Sequence, residues 1–82
     1  MIDWVRLGDK LENGGSVTAA SSTMTFDGKS VARKGDAVLC EQHPMSSNRI
    51  SEGDEATKDS GLPVARHGHK AACGCRLISG LL

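Results

Sequence analysis

The segment "GLPVARHGHKAACGC", residues 61–75, has a close copy earlier in the chain in "GKSVARKGDAVLC", residues 28–40. The shared positions differ by 33 residues, and a fainter third copy is Val5-Arg6-Leu7-Gly8-Asp9. Repeated copies of one small unit indicate internal symmetry. We therefore predict a pseudo-threefold organisation. The matched residues are Gly28, Val31, Ala32, Arg33, Gly35 and Cys40, which correspond to Gly61, Val64, Ala65, Arg66, Gly68 and Cys73.

The segments between the copies are typical of short strands and turns. Residues 16–26, "SVTAASSTMTF", alternate roughly between apolar and polar side chains, which predicts a half-buried strand. Asp27-Gly28 and Ser60-Gly61 predict tight hairpin turns, the second followed by a strand from Pro63. Helical periodicity with caps is absent, and residues 10–13 and 54–58 are each candidates for one helical turn only. We predict one all-β domain over residues 1–82, built from short hairpins and ordered loops.

The composition indicates a weak core. Among 82 residues the only aromatic side chains are Trp4 and Phe26. A small chain buries a limited fraction of its surface, so a domain of this kind needs disulfides, a bound metal or a larger partner. An odd number of cysteines, three, fits a disulfide framework poorly. In a reducing compartment a Cys/His cluster favours metal binding.

Charge and hydropathy exclude several function classes. The formal net charge is zero, with acidic and basic residues interspersed, which argues against nucleic acid as a partner. No apolar run approaches the roughly 20 residues that cross a bilayer. The first residues carry acids and lack the apolar region of a secretory signal, so synthesis in the cytoplasm is expected.

Six residues are candidate metal ligands, and they form two groups along the chain. Cys40 and His43 have a compact chelating spacing. If residues 67–75 are extended, His67 and His69 point to one side, and the two nearby cysteines share that side. Zinc takes four nitrogen or sulfur ligands. The candidates are Cys40, His43, His67, His69, Cys73 and Cys75.

Other interpretations of these residues are weaker. Cys73-Gly74-Cys75 lacks the Cys-x-x-Cys spacing and the βαβ pattern of thioredoxin-like proteins. A hydrolytic metal requires an open coordination position and a nearby general base. A zinc-ribbon-like module that binds nucleic acid or protein is the alternative function, but its paired Cys-x-x-Cys knuckles are missing. No nucleophile, base and orienting residue can be identified, so we expect a protein that is not an enzyme.

Two motifs make the chain resemble the PAAR-repeat family, which is named after the tetrapeptide Pro-Ala-Ala-Arg. Pro63-Val64-Ala65-Arg66 matches that tetrapeptide, and Ser30-Val31-Ala32-Arg33 matches it more loosely. The resemblance extends from about Arg6 to Ile78 and includes "VLCEQH" and "ACGC".

This resemblance implies a small conical β fold that caps and sharpens the trimeric VgrG spike of a bacterial type VI secretion system. One copy would sit on each trimer, aid membrane puncture without stable insertion, and help to deliver effector proteins. The expected location is the cytoplasm before assembly and the target cell after secretion on the spike tip.

The resemblance also implies one structural zinc ion near the apex, held by three histidines and one cysteine. With three histidines in the chain, the implied ligands are His43, His67, His69 and Cys73. Many relatives carry a histidine before a Gly-Gly pair where this chain has Asn13. Cys40 or Cys75 therefore remains an alternative ligand, and spacing does not separate zinc from iron.

Two other features have two interpretations each. Arg33 and Arg66 either bind the spike or fix their own turns through local carbonyls and carboxylates, and we favour the internal role. The apolar end, residues 77–82, is either a final strand with a frayed tail or a docking segment.

Overall fold

The computed structural model describes residues 2–42 and 47–81, and within these ranges the protein is all β. No residue of the two ranges is helical, and accordingly none contributes to a helix able to span a membrane. Three antiparallel strand pairs form: β1 with β4, β2 with β3, and β5 with β6. The strands are β1 (Gly15–Val17), β2 (Thr25–Phe26), β3 (Lys29–Ser30), β4 (Val38–Cys40), β5 (Asp54–Asp59) and β6 (Leu62–Val64). The predicted fold class is confirmed.

Both predicted hairpin turns are present. The pair Asp27-Gly28 joins β2 to β3, and Ser60-Gly61 joins β5 to β6. Both residues of each turn have positive φ, 53° and 85° in the first and 53° and 81° in the second. Two-residue turns of this hand match the twist of the flanking strands, which is why Asp-Gly and Ser-Gly occur here.

Two local predictions are wrong. Residues 18–24 do not continue a strand, because the Ser21 hydroxyl accepts the backbone N–H groups of Thr23 and Met24 at 3.0 and 2.9 Å and turns the chain. Residues 54–58 belong to strand β5 and not to a helical turn. Asp54 pairs with Val64 and Lys58 with Pro63 of β6, and a bulge between Asp54 and Lys58 accommodates the irregular register.

Each sequence repeat folds into the same turn. The backbone N–H of Asp9, Asp36 and His69 donates to the carbonyl three residues earlier, at 3.0 Å in every copy. The third residue of each turn is a glycine with φ between 87° and 96°, a conformation that other residues disfavour. The same three side chains accept the backbone N–H of the preceding arginine at 2.8, 2.8 and 2.9 Å. The Nδ1 atom of His69 thus takes the part that a carboxylate oxygen plays in the other two copies.

The three copies close into a ring. Ala32 N–H donates to Val5, Ala65 N–H donates to Ala32, and Val5 N–H donates to Ala65, at 2.8, 2.9 and 2.9 Å. All three residues are completely buried. This ring of hydrogen bonds marks the pseudo-threefold axis.

A second layer joins each copy to the next. Val17 pairs with Val38, Ile50 with Ala71, and Leu77 with Leu11. All six side chains are buried and belong to the hydrophobic core. The core therefore consists of equivalent aliphatic residues around the axis. We call the loops beyond them, residues 12–15, 40–42, 47–48 and 72–75, the apex.

The arginines of the three copies are engaged within the domain. Arg33 contacts Asp36 at 3.3 Å and Asp59 at 3.2 Å, whereas Arg66 contacts Asp3 at 2.7 Å and Asp54 at 3.3 Å. Hydrogen bonding to Asp36 raises the pKa of Arg33, and hydrogen bonding to Asp3 raises that of Arg66. These contacts agree with the internal role that we favoured.

The buried Arg6 differs, because it has backbone partners in place of a hairpin carboxylate. Its guanidinium donates to the carbonyls of Phe26 and Asp27 at 3.3 and 3.5 Å. At the other terminus, the Ser79 hydroxyl donates to the Trp4 carbonyl at 2.7 Å, and Gly80 N–H donates to Asp9 at 3.0 Å. The described part of the C-terminal segment therefore packs on its own domain.

Candidate metal centre

Three cysteine side chains converge at the apex. The Sγ atoms of Cys40, Cys73 and Cys75 lie within 4.8 Å of one another. Cys40 and Cys75 are 1% and 2% exposed and their sulfur atoms are 3.1 Å apart, while Cys73 is half-buried. All three are thiols and no disulfide joins them. Residues 35 and 33 positions apart in the chain thus meet at one point.

Tight backbone turns bring these thiols together. Cys40 ends β4 and pairs with Gly15 of β1. A Cβ atom on Gly15 would lie 1.9 Å from the Leu39 carbonyl oxygen, so only glycine permits this approach. In the third copy, Gly74 N–H donates to Ala71 and Ala71 N–H donates to Cys75, both at 2.9 Å. That turn places the two nearby cysteines in one cluster.

Two asparagines donate to the sulfur atoms. Asn48, 4% exposed, donates its Nδ2 to Cys73 Sγ at 3.2 Å and accepts the Cys73 backbone N–H at 3.3 Å. Asn13 donates to Cys75 Sγ at 3.4 Å. Asn48 was not among the predicted site residues. The repeat could have identified it, because Asn48 precedes Arg49 and Ile50 as Cys75 precedes Arg76 and Leu77, so that Asn48 and Cys75 occupy equivalent positions.

These hydrogen bonds set the acidity of the thiols. Burial acts to raise the pKa of Cys73, but hydrogen bonds from the Cys75 backbone N–H and the Asn48 amide outweigh it and leave the pKa below its ordinary value. A hydrogen bond with Cys40 raises the pKa of Cys75 to about 11. Of Cys73 and Cys75, Cys73 is therefore the more readily ionised.

The donor set fits a thiophilic metal ion. Zinc–sulfur bonds of about 2.3 Å at tetrahedral angles place sulfur atoms about 3.8 Å apart. The three sulfur atoms, all within 4.8 Å of each other, require only small shifts to reach that spacing. Among residues 2–42 and 47–81, this is the group of Cys, His, Asp and Glu side chains close enough to hold an ion.

The four predicted ligands, His43, His67, His69 and Cys73, are not all found in the cysteine cluster. Of these, Cys73 belongs to the cluster, as do the alternatives Cys40 and Cys75. His67 accepts the Ser79 N–H at Nδ1, and His69 accepts the Arg66 N–H at Nδ1, at 3.0 and 2.9 Å. The assumption of an extended segment is wrong, because the chain turns at glycines 68 and 74. The assignment of both histidines as ligands stays a prediction, and His43 lies outside the described residues.

Comparison with known proteins adds one finding. The family model described as the PAAR motif matches residues 7–79, nearly the whole chain. A search of curated proteins found no match. The matched region contains the second and third copies of the turn, the first copy apart from Arg6, and the three cysteines of the apex.

Proposed function

The chain belongs to the PAAR-motif family, and from this membership we propose that it caps the distal end of a trimeric VgrG-type spike. Proteins of this family are spike-tip proteins of type VI secretion systems, which supports a general spike-associated role for this chain. The finer proposal is that one copy closes each trimer, sharpens it for membrane puncture and accompanies effector proteins into the target cell.

The closed ring of backbone hydrogen bonds carries this proposal. A trimer presents three equivalent chain ends around its axis. Here a single chain supplies three equivalent turns, linked Val5 to Ala65 to Ala32 at 2.8–2.9 Å. One copy therefore has the symmetry to meet three subunits at once, whereas three copies on one axis would collide.

Apolar side chains support docking through the end opposite the apex. Ile2, Lys29 and Leu62 occupy equivalent positions in the three copies, four residues before each arginine. Ile2 and Leu62 are 44% and 40% exposed. Exposed aliphatic residues at repeated positions are typical of an interaction surface.

The metal supplies stiffness at the opposite end in this proposal. Zinc bound by the apex cysteines would tie the second copy to the third. A structural metal of this kind contributes on the order of 10 kcal/mol to the folding of small domains. A rigid point follows from the cross-link, and no catalytic step is required of it.

The test is the stoichiometry of the complex with a trimeric VgrG spike. Native mass spectrometry of the mixture should show one copy per trimer. The double variant Ile2→Glu/Leu62→Glu should weaken binding by about tenfold or more, because it places charges in an apolar contact. Leu39→Glu is the matched control, since Leu39 is 51% exposed next to the apex cysteine Cys40. Three copies per trimer, or equal loss in the control, would refute the tip arrangement.

A further inference from the structure

We propose that the apex binds a soft divalent metal ion, such as zinc or cadmium, through three thiolates, with Asn13 and Asn48 as positioning residues that donate N–H groups to sulfur. The ligands are Cys40, Cys73 and Cys75. This inference deepens the metal role within the proposed function and differs from the three-histidine, one-cysteine set that the family resemblance implies.

The positions of the side chains favour sulfur over imidazole. Three Sγ atoms lie within 4.8 Å of one another. The Nδ1 atoms of His67 and His69 are instead engaged with backbone N–H groups of Ser79 and Arg66. His69 stands where Asp9 and Asp36 stand in the other copies, so its imidazole is explained by the turn that it closes.

Charge explains the need for the asparagines. Three thiolates on a divalent cation carry a net charge of −1, and burying that charge is unfavourable unless donors face it. Asn48 and Asn13 each place an N–H on a different sulfur, at 3.2 and 3.4 Å. The amide of Asn48 has a defined orientation, because its Oδ1 accepts the Cys73 backbone N–H. Outer-shell partners of this kind tune metal affinity.

The ligand type determines the class of ion. Thiolates are soft ligands that select zinc, cadmium and copper(I), whereas magnesium, calcium and manganese prefer oxygen ligands. Among the described residues the cluster offers only sulfur. The site should therefore discriminate strongly against hard cations.

The experiment counts sulfur ligands in the full-length protein. Metal-free protein is titrated with Cd²⁺ and with Co²⁺, and the thiolate-to-metal charge-transfer bands and the X-ray absorption spectrum of the cadmium form are recorded. The expected result is three sulfur ligands, reduced to two in each of Cys40→Ser, Cys73→Ser and Cys75→Ser. A single sulfur accompanied by imidazole nitrogens would overturn the inference. If that protein still capped a spike trimer one to one, the proposed function would stand without this inference.

Asparagine variants test the positioning role. Asn48→Asp and Asn13→Asp keep the side-chain shape but replace the donor by a charge, and each should weaken Cd²⁺ binding by about 10- to 100-fold. Both should also shift the energy of the charge-transfer band, which a purely structural role would not. Gln42→Glu adds the same charge at an exposed residue near Cys40 and serves as the control. Because Asn13 is exposed, its variant is expected to fold even if Asn48→Asp does not. Unchanged affinity and band energy in Asn13→Asp would refute the role of the donors.

Discussion

The ring around the axis preserves the threefold repeat, whereas the apex departs from it. In the ring, Val5, Ala32 and Ala65 make the same backbone hydrogen bond within 0.1 Å, at 2.9, 2.8 and 2.9 Å. At the apex, the three equivalent positions hold Asn13, Cys40 and Cys73. Asn13 and Cys40 both contact the Cys75 sulfur, whereas Cys73 accepts a hydrogen bond from Asn48. The fold thus depends on what the copies share, and the chemistry depends on where they differ.

Removing the metal should produce the largest effect, and it should be confined to the apex. A ligand present at a thousandfold excess over its Kd stabilises the folded state by about 4 kcal/mol. Chelation of zinc should lower the free energy of unfolding by about that amount, measured by urea denaturation with and without chelator.

Hydrogen exchange locates that loss. The amides of Ala32 and Ala65 in the ring should remain the most protected, while amides near the three cysteines should exchange faster after chelation. Equal loss of protection in ring and apex would show that the two regions are not independent. A protein whose stability is unaffected by chelation would contradict the structural role of the metal.

Overpacking the ring should have the next largest effect and should leave metal binding unchanged. Ala32 is completely buried at the axis, so Ala32→Leu forces three backbones apart. Overpacking of this kind costs about 1–3 kcal/mol. Urea denaturation measures the loss, and cadmium titration checks that the apex is intact.

Ala56→Leu is the control for that substitution, since Ala56 lies on the exposed strand β5. Its stability should change by about 0.5 kcal/mol or less. If Ala32→Leu abolished metal binding while the protein stayed folded, the separation between ring and apex would be wrong.

The three equivalent units around the ring and their turns could be predicted from the sequence. The repeated Val-Ala-Arg-x-Gly pattern predicted three equivalent units, and Asp27-Gly28 and Ser60-Gly61 predicted both hairpins. These features depend on local backbone chemistry, since a glycine with positive φ and an acceptor three residues after an arginine suffice to define each turn.

The residues of the metal cluster could be predicted only in part from the sequence. Cys73 was identified, but Cys40 and Cys75 were placed as alternatives, and Asn48 was not considered. His67, His69 and the two nearby cysteines were predicted to share one side of an extended strand, but Gly68 and Gly74 interrupt that strand. The spatial meeting of two remote loops depends on long-range packing, which spacing within one segment does not reveal.

The surroundings of Asp59 predict a smaller effect of pH on stability. A hydrogen bond from Ser21, together with those from Thr23 and the charge of Arg33, lowers the pKa of Asp59. A lowered folded pKa gives stability that is present above the unfolded value, about 3.9, and is lost as pH falls through the folded pKa. Metal-free protein should therefore lose stability below about pH 4.

Asp59→Asn should show a shallower acid transition in thermal denaturation between about pH 2 and 5. Asp27→Asn is the matched control, because only the backbone carbonyl of Asp27 contacts Arg6. A control with the same reduction in slope would show that the acid sensitivity does not come from the contacts of Asp59 with Ser21, Thr23 and Arg33.

His69→Asn should have the smallest effect, and it separates the ring from the apex at a single residue. An asparagine Oδ1 can accept the Arg66 N–H as the carboxylates of Asp9 and Asp36 accept theirs, so stability should change by about 0.5 kcal/mol or less. His69→Ala removes that acceptor and should cost about 1 kcal/mol. Metal content by mass spectrometry should be the same in both. If His69→Asn kept its stability but lost metal, the imidazole would belong to the metal shell. The third copy would then use one residue for both the shared turn and the metal site.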